Sequence, residues 1–264
     1  MLTSLNNPLI KEIRKLRQSK VREELGLALL EGTKLLESAC LANCPIETVC
    51  YTLAWQEKNP ETWLSLAKLA QRLELVDSDL IDAMATTVNP DGVLATIKKT
   101  RLVRPIPEHL QSGLILEHIQ DPGNLGTIMR TALATGVDCI FLGKNSASFD
   151  QPKVLRSSVG ACFQLACKIC TDIVEIVKSY QAQGLQIIAT LPDAQKTYWD
   201  IDLVQPSLFL LGNEASGLSQ ELRQLADQSV RLPLKPAVES LNVAVTCAVL
   251  LYERQRQIKY LQKL

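Results

Sequence analysis

The chain has 264 residues, 47% apolar and 21% charged, with 28 basic and 28 acidic side chains. That length is comfortable for two domains and buries a sizeable core without disulfides or a structural metal. The composition excludes a disordered or fibrous chain and a histone-like polycation. It leaves room for a local nucleic-acid surface. Residues 1–22 carry Lys11, Arg14, Lys15, Arg17, Lys20 and Arg22 against Glu12 alone, and the tail from Arg254 to Leu264 carries Arg254, Arg256, Lys259 and Lys263 with no acid. Either run also reads as an ordinary solvated helix face.

Taken in chain order, residues 8–19 predict a basic helix and Leu25–Leu30 a strand, with a helix over 33–41. A strand over 46–52, a helix over 61–72, a short strand over 73–76, a helix over 78–85 and a strand over 92–97 complete a small α/β domain of residues 1–100. Two prolines in RLVRPIPE mark a linker over 101–108. The remainder, 109–264, alternates more regularly. Strands are expected at 113–117, 139–142, 165–169, 185–190 and 207–211. Helices are expected at 124–135, 152–158, 173–183, 220–225 and 241–261. This is an α/β fold with a mostly parallel sheet covered on both faces. The start of the chain shows no apolar core with a cleavage site, and no run reaches about 18 apolar residues, so neither a leader nor a membrane span is expected.

Eight cysteines and two histidines offer one CxxC, Cys167 and Cys170, without a second pair or a spaced histidine motif. No metal site is expected. In a strand the two thiols would point to opposite faces, which disfavours a redox dithiol. Buried, reduced thiols in a cytoplasmic protein is the reading adopted.

Three segments follow expected strands at the sheet edge where open α/β folds bind ligands. The first, Asp121-Pro122-Gly123-Asn124-Leu125-Gly126-Thr127-Ile128-Met129-Arg130, leads into a helix with Asn124 placed as its cap and Arg130 about two turns in. The second, Gly212-Asn213-Glu214-Ala215-Ser216-Gly217-Leu218-Ser219, sets two glycines around a glutamate, which lets a ligand approach the main chain. The third runs from Leu232 through Pro233 and Pro236 to Ser240, Leu241 and Asn242, and opens the last helix. Each alone is also explained by a helix start, capped in the second and third cases by Ser219 and by Ser240 or Asn242. The glycine spacing is not GxGxxG and no Walker lysine is present.

Together, NxGxxxR at 124–130, GNExxGLS at 212–219 and LPL…ESLNVAV at 232–245 closely resemble the three motifs of the SpoU/TrmH family. These are S-adenosylmethionine-dependent RNA ribose 2′-O-methyltransferases of the SPOUT superfamily. The resemblance spans residues 110–256. It extends forward through Arg22–Ala39 and ATTVNPDGVLA at 85–95, which look like the small substrate-binding domain of such enzymes. The family usually carries glycine where this chain has Ala215 and Pro236.

The resemblance implies a trefoil knot in the carboxyl-terminal part and a homodimer. It implies S-adenosyl-L-methionine held at Thr190, Leu191, Gly212, Asn213, Leu232 and Leu241. It implies a catalytic set of Arg130, Asn124, Glu214, Ser240 and Asn242. Arg130 would hold RNA phosphate and stabilise the developing alkoxide, Ser240 and Asn242 would orient the ribose, and Glu214 would brace the loops. The substrate implied is ribosomal RNA, ahead of transfer RNA. Two other readings stand beside it, a nucleotide-binding enzyme of ordinary doubly wound type and a non-catalytic RNA-binding protein that kept the fold.

Overall fold

The structure, a computed structural model, describes residues 1–261. Two compact units emerge, Met1–Arg104 together with Phe149–Gln164, and Pro105–Ser148 together with the chain from Leu165 onward.

In the first unit, α1 (Pro8–Lys15) and α2 (Ser19–Leu25) precede β1 (Leu27–Glu31) and α3 (Thr33–Leu41). After them come β2 (Ile46–Tyr51), α4 (Leu53–Lys58), α5 (Pro60–Leu69), β3 (Ala70–Leu75), α6 (Ser78–Met84) and β4 (Val93–Lys98). The basic run is split. Asn7 caps α1 ahead of Pro8, and α1 buries Ile10 and Ile13 while Lys11, Arg14 and Lys15 face solvent. The four strands form a mixed sheet in the order β1-β4-β2-β3, in which only β2 and β3 run parallel.

In the second unit, β5 (Ser112–Leu116), α7 (Pro122–Ala134) and β6 (Cys139–Gly143) follow one another. The next helix, α8 (Pro152–Ser158), packs with the first unit, against β1. The chain then returns as β7 (Ala166–Cys170), α9 (Ile173–Ala182), β8 (Gln186–Thr190), β9 (Lys196–Thr197), β10 (Ser207–Leu211), α10 (Gln220–Leu225), β11 (Gln228–Arg231) and α11 (Val243–Leu261). The seven strands stand in the order β7-β6-β5-β10-β8-β11-β9, and every pairing is parallel. Strands β5, β6 and β10 are buried along their whole length, as a sheet covered on both faces requires. Helix α7 turns Leu125, Ile128, Met129 and Ala132 inward at helical spacing.

The sequence placed 149–164 with the second domain, whereas in the structure this segment packs with the first unit. The reason is a buried ion pair. Arg22 Nε donates to Asp150 Oδ2 at 3.1 Å with 2% of each side chain exposed, and its Nη1 donates to the carbonyls of Leu16 and Arg17 at 3.1 Å each. A second link joins Arg156 Nη1 to Glu31 Oε2 at 2.7 Å, where both Glu31 oxygens also accept from the Thr86 amide. Arg22 is therefore a structural cation and not part of a solvated face. Arg254, counted with the basic tail, is likewise buried and donates to the Gln111 carbonyl at 3.1 Å. Lys263 lies outside the described residues.

Seven of the eight cysteines are buried, all but Cys40. Burial pushes the Cys50, Cys139 and Cys247 thiols up to about 12, so they stay protonated and unreactive at neutral pH. Among the described residues no group of acids, cysteines or histidines is arranged to hold a metal, and no helix is long and apolar enough to cross a membrane.

Candidate active site

Strand order assembles the site. Strands β5, β10, β8 and β11 are consecutive neighbours in the sheet although the chain visits β8 before β10. All four run parallel, so their carboxyl ends lie along one edge. Each is followed there by a segment singled out above: residues 121–130 after β5, 212–219 after β10, Leu191 after β8, and Leu232 after β11.

The segments after β8, β10 and β11 line a cleft of about 450 Å³. Thr190, Leu191, Gly212, Asn213, Leu232 and Leu241, the whole expected cofactor set, line it together with Glu214 and Ser240. Six leucines are among its lining residues, and the Thr190 hydroxyl oxygen is buried with no hydrogen-bond partner among the described residues. A buried hydroxyl is seldom left so, and its position in the wall makes it available to a ligand.

Three of the expected catalytic residues form a chain of hydrogen bonds. Asn242 Nδ2 donates to Asn124 Oδ1 at 2.9 Å, and Asn124 Nδ2 donates to Glu214 Oε1 at 2.6 Å. One polar relay thus ties the first, second and third motifs together. Asn242 Oδ1 also accepts from the Ala244 amide at 2.9 Å and so caps α11. Ser240 is exposed at the cleft wall. Arg130 is brought into neither group. It stands exposed on α7, outside the cleft lining and without a hydrogen bond to any described residue.

Two local expectations are corrected. The cap of α7 is Asp121, whose carboxylate accepts from the Gly123 amide at 2.9 Å, with Pro122 opening the helix. Asn124 lies inside the first turn, where its side chain is free to reach Glu214 and Asn242. Gly212 was expected to be small for the ligand's sake. A Cβ built there would instead run into the main chain of Gly217 and Leu218. The loop folds back on itself, with Asn213 and Gly217 exchanging backbone hydrogen bonds and Gly217 at φ +68°. Asn213 anchors it by donating to the His118 carbonyl at 2.8 Å and accepting from the Ala215 amide at 2.9 Å. Ala215 and Pro236 have no positive φ, so the glycines usual at those places are not needed for the backbone here.

Several residues that sequence reasoning passed over complete the site. Buried Glu117 accepts from the Ser219 amide at 2.7 Å and fixes the start of α10, where Ser219 is the cap as expected. His118 occupies the left-handed region at φ 57° while its carbonyl holds Asn213. Asp193 and Arg223 pair at 2.5 Å on the cleft wall. A buried acid directly after an apolar strand was a usable signal for Glu117. Asp193 and Arg223 are 30 residues apart and carried none.

Known proteins share these features. Residues 112–252 match the SpoU rRNA Methylase family, and residues 7–95 match the MRM3-like substrate binding domain. The chain is 44% identical to an uncharacterised tRNA/rRNA methyltransferase of Synechocystis over 97% of its length and 93% of the relative's. It is 28% identical to the 23S rRNA (guanosine(2553)-2′-O)-methyltransferase of Bacillus subtilis, over 95% of this chain and 97% of that one. A crystal structure of an AdoMet-bound rRNA methyltransferase from Sinorhizobium meliloti superposes with a TM-score of 0.83 at 29% identity, over 97% of both chains. With the motif loops gathered at one sheet edge and the small domain matched separately, the chain belongs to the SpoU rRNA methylase family.

Proposed function

We propose that the protein transfers a methyl group from S-adenosyl-L-methionine to a ribose 2′-hydroxyl of structured RNA in the cytoplasm, with ribosomal RNA as the substrate. The observation that carries this is the leucine-lined cleft beside the Asn242–Asn124–Glu214 relay, with the unpartnered Thr190 hydroxyl in its wall. The residues fit the cofactor: Leu191, Leu232 and Leu241 offer apolar surface, and Thr190 and the main chain around Gly212 offer hydrogen bonds.

When bound, S-adenosylmethionine supplies a methyl group made electrophilic by its sulfonium. The protein's own part is alignment, exclusion of water and charge stabilisation. Asn124 and Asn242, locked to each other and to Glu214, present fixed polar groups to a ribose, with Ser240 beside them. Arg130 is permanently protonated. Exposed and unpaired, it is free to bind the RNA phosphate and to stabilise the negative charge that develops on the attacking oxygen.

Residues 1–100 supply RNA recognition, with Lys11, Arg14 and Lys15 of α1 and Lys20 of α2 as exposed phosphate contacts. The working form is a knotted homodimer. Leu234, Val238, Leu241, Val245 and Tyr252 are exposed apolar residues on the third loop and α11, available to a partner. Arg130, apart from its own chain's cleft, serves the partner's site. Mixed dimers of Arg130→Ala and Asn242→Ala chains therefore regain one working site each, and mixed dimers without activity would show that each site is built from one chain.

Calorimetry with S-adenosylmethionine, NAD and ATP tests the cofactor, and only the first is expected to bind. Mapping 2′-O-methyl marks on all stable RNAs in a strain lacking the gene tests the substrate. Loss of one ribosomal mark is expected, and loss of a transfer RNA mark instead would overturn the rRNA assignment.

A further inference from the structure

Among the described residues lining the cleft, the charged side chains are Asp193, Glu214, Glu239 and Arg223, so Arg223 is the single cation. Arg223 sits on α10, a helix fixed by its Ser219 cap and by Glu117 beneath it. Asp193 lies in the turn just after β8, two residues beyond Leu191. Their ion pair, Nη2 to Oδ2 at 2.5 Å, is largely exposed, with 36% and 68% of the two side chains accessible. An exposed pair contributes little to folding and opens easily.

Resting on the cofactor reading above, we infer that Asp193 and Arg223 are the receptor for the zwitterionic amino-acid end of S-adenosylmethionine. That ligand has one anionic group, its α-carboxylate, and the cleft has one cation to meet it. A guanidinium binds a carboxylate through two parallel N–H donors. Asp193, released from Arg223, faces the neighbouring α-ammonium. The two protein charges exchange each other for the two charges of the ligand's amino-acid end, so none of these four is left unpaired.

The test uses two ligands on the full-length protein. S-adenosylhomocysteine has the amino-acid end, and 5′-methylthioadenosine keeps the adenosine and the sulfur but lacks that end. Calorimetry on Arg223→Gln should show S-adenosylhomocysteine weakened by about tenfold or more, as for loss of a charged hydrogen bond. Binding of 5′-methylthioadenosine should be unchanged, which also serves as the folding control. Asp193→Asn should give a smaller loss with the same selectivity. Equal weakening of both ligands, or no weakening of S-adenosylhomocysteine, overturns the inference. If the wild type binds the two ligands equally, the inference fails and the cofactor reading stands. If it binds neither, the cofactor reading itself falls, and the inference with it.

Discussion

In the first unit Arg22 and Asp150 meet with almost no solvent contact, and Arg22 spends its donors on one carboxylate and two carbonyls. In the second unit Asn242, Asn124 and Glu214 are joined just as directly, yet along an exposed surface, with Arg130 unpaired on the same helix as Asn124 and the Thr190 hydroxyl unpartnered nearby. Both are polar networks linking distant parts of the chain. The first is enclosed and holds its cation through three hydrogen bonds, which suits holding a segment in place. The second keeps hydrogen-bonding capacity in reserve at the sheet edge where ligands bind. Residual capacity, more than the presence of charge, separates Arg130, the arginine proposed to act on RNA, from the structural Arg22.

The largest expected effect tests the enclosed network. Arg22→Leu removes the partner of a buried carboxylate and should destabilise the protein by about 3–5 kcal/mol, read by denaturant unfolding. Lys99, whose Nζ lies 3.1 Å from Asp150 Oδ2, softens the loss. The same reasoning bears on truncation. A chain starting at Ile106 keeps Asp150 and α8 and removes Arg22 and β1, against which they pack, so it should unfold residues 149–164 first, seen as rapid hydrogen exchange there. Protection of that segment in the fragment would show that it belongs with the second unit after all.

Arg130→Ala tests the open network. With no described partner to lose, folding stability should change by less than about 0.5 kcal/mol. Methyl transfer should fall by about a hundredfold or more while cofactor affinity holds, because the contact acts on developing charge. Arg130→Lys should recover little, since a single ammonium does not replace a planar fork of donors. An Arg130→Ala enzyme with full turnover would remove Arg130 from the chemistry.

The contrast also explains what the sequence made readable. The site loops could be found because strand, turn and cap residues are local, and Asn124, Glu214 and Asn242 could be singled out because their motifs resemble those of the SpoU/TrmH family. The long helices and interior strands were equally local, as with Ile173–Ala182 and Ser207–Leu211. The two-residue β9, the four-residue β11 and the six-residue α4 were missed because so few residues show no period. The placement of 149–164 was unreadable for a different reason. Arg22 and Asp150 are 128 residues apart, and nothing near either marks the other as its partner. Strand order was hidden too, since β10 takes its place between β5 and β8 only through long-range packing.

Gly212 and Gly217 sharpen the comparison within one loop. At Gly212 a methyl group meets backbone that cannot move aside, whereas at Gly217 the space is open and only the left-handed φ opposes a side chain. Gly217→Ala should cost about 1 kcal/mol and leave cofactor affinity nearly intact. Gly212→Ala should cost more and weaken the cofactor as well, because the loop must unfold from itself to admit the methyl. Thermal melts and calorimetry on both variants check the order, and equal effects would mean that the close approach at Gly212 does not shape the cleft.

The smallest effect concerns backbone strain, which each unit also holds. His118 has φ 57° at the site and Val159 has φ 45° after α8. A β-branched residue is poorly suited to that region, where its Cβ crowds the following carbonyl at a cost of about 1–2 kcal/mol. Asparagine tolerates it well. Val159 is 44% exposed, so replacing it forfeits little buried apolar surface. The next residue, Gly160, is held against Ser38, whose side chain would lie 2.5 Å from an added Cβ, so the turn itself cannot relax. Val159→Asn should therefore stabilise the protein by about 1 kcal/mol, raising Tm by about 2–4 °C for a chain of this size, with turnover unchanged. His118→Asn relieves little of this kind, because histidine, unlike valine, already tolerates that region, and the backbone carbonyl still holds Asn213. His118→Pro cannot adopt positive φ and should release Asn213 and disorder the glycine loop, weakening the cofactor. If Val159→Asn lowered activity while melting higher, the strain after α8 would belong to the reaction, and the division between an enclosed structural network and an open functional one would fail there.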